Sequence, residues 1–200
     1  MTPRADGTAS GRLGVDAAPG GLRLVQDLLN TRSIESFDVP DLLADETSAN
    51  TWLGRVLDAW SLSTGGPRPV LTLAAQDLAT LREGRTRTRG WLAQEGTELR
   101  PATVVLRSSG ARLFPEPHEG GADGLLGLVA AELLLAVRDG SVSRLKTCAN
   151  PACGTAFYDL SRNGSRVWHD VRTCGNVANL RASRARRRAA ETGPHDADHG

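Results

Sequence analysis

Hydrophobic residues recur at helical spacing in three stretches of the chain, at residues 49–60, 73–92 and 124–139. The third stretch should begin at a cap formed by Asp123 and end at Gly140. It is apolar on most sides, so we predict that it is the central buried helix of the N-terminal part. In the first stretch the apolar side chains recur at i, i+3, i+4 and i+7: Leu53, Val56, Leu57 and Trp60.

Two short runs of β-prone residues, 103–106 and 111–114, are separated by a polar turn and predict an antiparallel β-hairpin. Residues 21–31 carry a mixed period, alternating at first and helical afterwards, which does not decide between strand and helix. The pattern predicts an α+β protein. Its N-terminal domain, residues 21–140, should be mostly helical with one small antiparallel sheet.

The two ends of the chain lack apolar runs. Residues 1–20 are rich in Gly, Ala, Pro and Thr and are predicted to be a disordered tail, and residues 191–200 an acidic disordered tail. No stretch is long and apolar enough for a transmembrane helix, and no secretory signal is recognisable. We therefore expect a cytoplasmic protein without a membrane partner, in a compartment where thiols stay reduced.

All three cysteines of the chain lie between residues 148 and 174, with one histidine among them. Together they form the pattern C-x4-C-x15-H-x4-C, made by Cys148, Cys153, His169 and Cys174. Three thiolates and one imidazole fill the tetrahedral coordination sphere of Zn²⁺ and leave no position for water or substrate. The sequence therefore predicts one structural zinc ion.

Turn and strand signals around these ligands predict the local fold. A Pro-containing turn between the first two cysteines favours a knuckle that directs both sulfurs at one centre. Two β-prone runs, residues 155–158 and 166–168, flank an Asn163-Gly164 pair that favours a tight hairpin turn. Helix formers without proline follow Cys174. We predict a knuckle, a hairpin and a helix, a treble-clef-like arrangement, over residues 141–190.

Two alternatives to a metal site follow from the same residues. Isolated cysteines are often small buried hydrophobic residues, and cysteines can also form disulfides. An odd number of cysteines without a secretory signal argues against a disulfide framework. A segment this short and polar needs a metal or disulfides to be stable, which favours zinc.

The same segment resembles a known family. Cys174-Gly175-Asn176, following Trp168 and the Cys148-x4-Cys153 knuckle, resembles the CGNR zinc finger, as does the run Ser161-Arg162-Asn163-x-Ser165-Arg166. In bacterial proteins described as stress-induced transcription regulators, this finger follows an ABATE-type N-terminal domain. The resemblance implies a domain of that type at residues 21–140 and a role in stress response.

The chain departs from the family pattern at three positions. His169 stands where most members have cysteine, which is a chemically sound exchange of one zinc ligand for another. Val177 and Asn179 stand where members have arginine and lysine. Any nucleic-acid contact that the family makes through those two positions is therefore in question here.

Basic residues concentrate in the predicted finger. Residues 141–190 contain ten Arg and Lys residues against two acidic residues, a net charge of +8, in a chain whose formal net charge is +1. Such a segment favours a polyanionic partner. The candidate residues for nucleic-acid contact are Arg162, Arg166, Arg172, Arg181, Arg184, Arg187 and Arg188.

Together, the motif, the charge and the resemblance predict a bacterial transcription regulator that binds DNA through a zinc-stapled, Arg-rich C-terminal module. The N-terminal domain is a candidate sensor, but the residues identify no small-molecule effector, DNA site or oligomeric state. The alternative is a protein-interaction module, or a redox or zinc sensor, that uses the Cys3His site without binding specific DNA. Motifs for nucleophilic triads, phosphate loops, dinucleotides and metalloproteases do not occur, so we do not predict an enzyme.

Overall fold

The structure is a computed structural model that describes residues 7–176 together with Leu180, Arg186 and Arg187. This part of the chain contains five α-helices and two sheets, each made of two antiparallel strands, which confirms the α+β class. None of these helices combines the length and apolar character needed to cross a membrane. The elements are α1 (Ala9–Arg12), α2 (Leu22–Leu29), α3 (Glu46–Thr64), α4 (Asp77–Leu92), β1 (Val104–Ser109), β2 (Arg112–Pro117), α5 (Gly121–Arg138), β3 (Leu145–Thr147) and β4 (Ala156–Tyr158).

Helix α2 occupies the centre of the fold. Seven of its eight residues are buried, and it packs against α1, α3, α4, α5 and β4. The mixed period of residues 21–31 thus resolves as a helix. The sequence places α5 in the central position, but this helix leaves Leu134, Leu135 and Val137 exposed near its C-terminal end.

Helices α3, α4 and α5 confirm the three predicted helical stretches, with shifted ends. Helix α3 buries all four apolar positions of its predicted stripe. Its N-cap is Asp45, which accepts a hydrogen bond from the backbone N–H of Ser48 at 2.8 Å. Helix α5 begins at Gly121, so Asp123 lies in its first turn rather than at the cap, where it still complements the helix dipole.

Residues 7–20 are ordered, contrary to the tail predicted over residues 1–20. Helix α1 is held by the buried carboxylate of Asp27, which accepts hydrogen bonds from the backbone N–H groups of Ala9 and Ser10 at 3.2 and 2.7 Å. After the helix, Leu13 and Val15 are buried in a small cluster with Ile34 and Phe157. Residues 1–20 contain few apolar side chains, so their composition gave no indication of these contacts.

The β1–β2 hairpin forms where it is predicted, and β2 continues to Pro117. Phe114, opposite Arg107 in the register, is buried, and the hairpin packs against α5. A Cβ atom on Gly66 would lie 2.8 Å from the Phe114 ring, so the glycine permits the loop after α3 to approach this ring.

The second sheet differs from the prediction. Strand β4 pairs antiparallel with β3, with Leu145 opposite Tyr158, and residues 166–168 form no strand. The expected hairpin between residues 155–158 and 166–168 is therefore wrong, although the backbone N–H of Ala149 still donates to the carbonyl of Val167 at 2.9 Å. The knuckle with the first two cysteines forms the turn between β3 and β4.

Strands β3 and β4 also belong to the main hydrophobic core. Leu145, Ala156 and Tyr158 lie in the same buried cluster as the residues of α2, α3 and α5. The segment that carries the cysteines is thus packed onto the helices that precede it.

Candidate metal centre

The four predicted metal ligands come together in the structure. The ligand atoms of Cys148, Cys153, His169 and Cys174 all lie within 4.8 Å of one another, and all four side chains are buried. Cys153 and Cys174 have no exposed surface, and Cys148 and His169 are 5% and 6% exposed. Three of these residues come from two turns, the knuckle and the turn Val171–Gly175, and the histidine comes from the loop between them.

The spacing of the donor atoms fits one zinc ion. Nδ1 of His169 lies 3.4 Å from Sγ of Cys153. Two atoms bound to one tetrahedral Zn²⁺ at normal bond lengths lie roughly 3.5–3.8 Å apart, so this nitrogen faces the centre as a ligand would. Nε2 of the same ring is buried and has no hydrogen-bond partner among the described residues.

Three thiolates in this buried space would repel one another. A hydrogen bond from Cys153 lowers the pKa of Cys148 to about 3, and that same bond, together with burial, raises the pKa of Cys153. Burial likewise raises the pKa of Cys174. A divalent ion removes this conflict because it binds all three sulfurs as thiolates. The donor set and its enclosure fit one structural zinc ion.

A tight turn at Asn150 shapes the knuckle. The carbonyl of Asn150 accepts hydrogen bonds from the backbone N–H groups of Cys153 at 2.9 Å and Gly154 at 3.1 Å. Gly154 has a φ of +59°, and a Cβ atom there would lie 2.3 Å from the guanidinium of Arg32. Only glycine satisfies both conditions without displacing that arginine.

Polar groups next to the ligands donate to their sulfur atoms. Nδ2 of Asn150 lies 3.4 Å from Sγ of Cys174, and the backbone N–H of Thr155 lies 3.4 Å from Sγ of Cys153. Such N–H···S contacts orient the sulfurs and reduce the charge that a metal–thiolate centre accumulates.

Residues from the N-terminal part hold the knuckle from outside. Three successive carbonyls, of residues 152–154, each accept a hydrogen bond from a different side chain. The donors are Ser36 at 2.9 Å, Arg32 at 3.3 Å and Arg89 at 2.7 Å, in that order along the knuckle. We name this set the knuckle clamp. Arg89 also donates to the carbonyl of Leu29 at 3.0 Å, so it connects the knuckle to the end of α2.

Two aromatic residues cover the cysteine cluster. Phe37, from the short 3-10 turn Glu35–Phe37, and Trp168 pack against the three cysteines. The Phe37 ring meets the His169 ring edge-on at a centroid distance of 6.3 Å. These contacts exclude water from the site, as expected for a structural metal.

A buried carboxylate organises the loop that leads to His169. Asp159 accepts hydrogen bonds from Nζ of Lys146 and from the backbone N–H groups of Ser161 and Arg166, at 2.8, 2.9 and 2.8 Å. Burial opposes ionisation of Asp159, but these donors outweigh it and lower the pKa of the carboxyl group. Two of these donors are backbone N–H groups of the loop itself, those of Ser161 and Arg166. They are therefore not available for strand pairing with β4.

The predicted nucleic-acid residues fall into three groups. Arg162, Arg172 and Arg187 are exposed. Arg166 is half-buried; its guanidinium lies 5.3 Å from the Phe157 ring centroid and donates to the carbonyl of His169. Its described contacts therefore support the ligand histidine. The other three candidates, Arg181, Arg184 and Arg188, lie outside the described residues. The same is true of Val177 and Asn179.

Sequence reasoning found the ligands but missed what surrounds them. The knuckle clamp and Phe37 come from residues 32–89, which precede the first cysteine by many residues and carry no local metal-site signal. Thr155, whose backbone N–H lies 3.4 Å from Sγ of Cys153, was also not identified from the sequence. Asn176, directly after the π-helical turn Val171–Gly175, is helical, and most of the helix predicted after Cys174 lies outside the described residues.

We compared the chain with curated proteins and with protein-family models. No curated protein matches the chain. Residues 144–187 match the family model of the CGNR zinc finger, and this range contains all four metal ligands. Over this C-terminal segment the chain is therefore similar to the CGNR zinc finger, with His169 as its fourth ligand.

Proposed function

We propose that the chain is a bacterial transcription regulator that binds DNA through its zinc-stapled, basic C-terminal module. The observation that carries the proposal is the charge of residues 141–190, +8 from ten basic and two acidic residues. Arg162, Arg172, Arg186 and Arg187 are exposed, so their guanidinium groups are accessible to phosphates. In this proposal the zinc ion is structural and the module has no catalytic role.

We propose that the N-terminal part, residues 21–140, acts as the sensor. The family resemblance implies that this part is an ABATE-type domain with a role in stress response. The knuckle clamp supports the coupling that such a role needs. A change at α2 or α4 would reach the zinc knuckle through the hydrogen bonds of Arg89 to Leu29 and Gly154. We place the protein in the cytoplasm, where thiols are kept reduced for zinc.

Fluorescence anisotropy with a duplex of about 30 base pairs tests DNA binding, at NaCl concentrations from about 50 to 200 mM. We expect measurable affinity at low salt that falls steeply as salt rises. The double variant Arg186→Ala/Arg187→Ala should weaken binding and reduce the slope of log K against log salt by about 2 if both side chains contact phosphates.

The matched control removes the same charge elsewhere. Arg107→Ala/Arg138→Ala changes two exposed arginines of the N-terminal part and should leave the slope unchanged. Absent binding at low salt, or equal effects of the two double variants, contradicts the proposal. Retention of a protein partner after nuclease treatment would then favour the interaction-module alternative.

A further inference from the structure

A cleft of about 340 Å³ lies on the N-terminal part, away from the metal ligands. It opens between the start of α2, the C-terminal half of α3, β2 and the second half of α5. Its walls are mostly apolar, and the apolar lining residues include Leu22, Trp60, Leu113, Phe114, Leu135 and Ala136.

A buried carboxylate lines this cleft. Glu132 is 5% exposed, and Oε1 accepts a hydrogen bond from Nε1 of Trp60 at 2.7 Å. Oε2 accepts no hydrogen bond from the described residues. A Cβ atom on Gly21 would lie 1.7 Å from Oε2, so any larger residue at position 21 would displace the carboxylate from its place in the cleft. This unpartnered oxygen of a cleft-lining carboxyl group is the acceptor that a ligand donor would use.

A second carboxylate, that of Asp139, lies at the C-cap of α5, two helical turns beyond Glu132. Glu132 and Asp139 are seven residues apart, which corresponds to about 10.5 Å along a helix axis and to one side of the helix. Both line the cleft, and Leu135 and Ala136 lie between them. Asp139 accepts a hydrogen bond from the backbone N–H of Ser141 at 2.8 Å and is otherwise exposed.

The cationic residue of the cleft is already engaged. Arg112 donates to the carbonyl of Thr64 at 2.6 Å, at the C-terminal end of α3, where a cation complements the helix dipole. Its guanidinium also lies 4.9 Å from the Phe114 ring centroid. Arg112 keeps its positive charge, but its contacts are with the Thr64 carbonyl and the Phe114 ring, so the charged hydrogen-bond acceptors that line the cleft are Glu132 and Asp139.

We propose that this cleft binds a linear aliphatic diamine or polyamine, with one ammonium group at Oε2 of Glu132 and another at Asp139. An ammonium group supplies the donors that Oε2 lacks, and the methylene chain lies along Leu135 and Ala136. An extended chain of eight methylene groups separates its nitrogens by about 11 Å, close to the spacing along the helix. This site deepens the sensing role proposed above for residues 21–140.

Isothermal titration calorimetry of the zinc-loaded full-length chain tests the site, without DNA, so that its outcome does not depend on DNA binding. The probes are spermidine and 1,8-diaminooctane, with octylamine as a one-ended control and 1,3-diaminopropane as a short one. We expect saturable binding of the two long probes with one site per chain, and at least tenfold weaker binding of both controls.

Three variants distinguish binding in this cleft from non-specific electrostatic binding of polyamines to acidic residues on the surface. Glu132→Gln keeps an oxygen for Trp60 but removes the charge, and should weaken the long probes at least tenfold. Asp139→Asn should weaken the long probes severalfold and leave octylamine unchanged. Glu46→Gln removes an exposed charge at the start of α3 and should have no effect.

The proposal fails if the wild type does not bind the long probes, or if Glu46→Gln weakens them as much as Glu132→Gln. Equal affinities for octylamine and 1,8-diaminooctane would overturn the two-ended site. Thermal melts of each variant establish that a loss of binding occurs in a folded protein.

Discussion

The side-chain amide of Asn30 pairs with the backbone of Ala156 as a neighbouring strand would. Oδ1 accepts a hydrogen bond from the N–H of Ala156 at 2.8 Å, and Nδ2 donates to its carbonyl at 2.9 Å. Asn30 ends α2 and Ala156 begins β4, and both residues are buried. The helical part and the zinc-binding part are therefore joined by a specific polar contact as well as by shared apolar packing.

The substitution Asn30→Ala should lower the free energy of unfolding by about 2–4 kcal/mol, because it leaves a buried N–H and a buried carbonyl without their main partner. Urea denaturation of the zinc-loaded protein measures this change. Asn163→Ala, in an exposed loop, is the matched control and should stay within about 0.5 kcal/mol. Equal effects of the two substitutions would show that the Asn30–Ala156 contact is energetically unimportant.

The substitution Arg89→Met should weaken zinc binding roughly 10- to 100-fold, as loss of outer contacts to a metal site typically does. Burial lowers the pKa of Arg89 to about 10, so its guanidinium is still charged at neutral pH beside the thiolate of Cys153. The rate of zinc transfer to a coloured chelator measures the effect. Arg87→Met changes an exposed arginine on the same helix, paired with Glu83, and should leave the rate unchanged.

The substitution Cys174→Ser should reduce bound zinc well below one ion per chain, as measured by metal analysis. Because Leu145, Ala156 and Tyr158 lie in the main core, we expect one thermal transition at a lower temperature for the whole chain. Thr173→Ser, at the preceding position, should retain both the metal and the melting temperature. A variant whose helices melt at the wild-type temperature would indicate that the finger is energetically independent.

The substitution Glu132→Gln should stabilise the protein, and more so at pH 8 than at pH 5. Burial raises the pKa of Glu132, although the Trp60 N–H opposes this shift. A raised folded-state pKa means that stability is highest below the unfolded value, near 4.3, and is lost as the pH rises through the folded value. The free-energy cost of burying the ionised carboxylate therefore persists at higher pH. The uncharged glutamine side chain does not carry this cost. The other ionisable groups that line the cleft are Arg112 and Asp139.

Thermal melts of wild type and Glu132→Gln across this pH range measure the difference. Asp58→Asn, which changes an exposed carboxylate on α3 paired with Arg68, serves as the control. A constant difference between Glu132→Gln and wild type at every pH would show that the carboxylate is not strained by burial.

Local patterns in the sequence predicted the elements that depend on local physics. Helices α3 and α5 follow from the spacing of apolar side chains, and the metal ligands follow from the chemistry of three thiols and one imidazole. Both signals are contained within a few turns of chain. The same holds for the β1–β2 hairpin, whose strands are joined by a short polar turn.

The features that sequence reasoning missed depend on distant partners. The Asn163-Gly164 pair does form a turn, in which the N–H of Gly164 donates to the carbonyl of Ser161 at 3.2 Å. Its flanks do not pair because Asp159 and Lys146 engage that backbone, and β4 finds its partner in β3. Helix α1 was missed for a similar reason, since its anchor, Asp27, lies beyond the segment.

The polar side chains of α2 affect how the protein folds during synthesis and how truncated fragments behave. Gln26 and Asn30 both direct amide donors at the carbonyl of Ala156, a residue synthesised long after them. A fragment that stops near residue 140 would expose these amides and would also deprive Leu13 and Ile34 of Phe157. Truncated versions intended to isolate the helical half should therefore express poorly or aggregate. A ribosome must release most of the chain before α2 is fully enclosed.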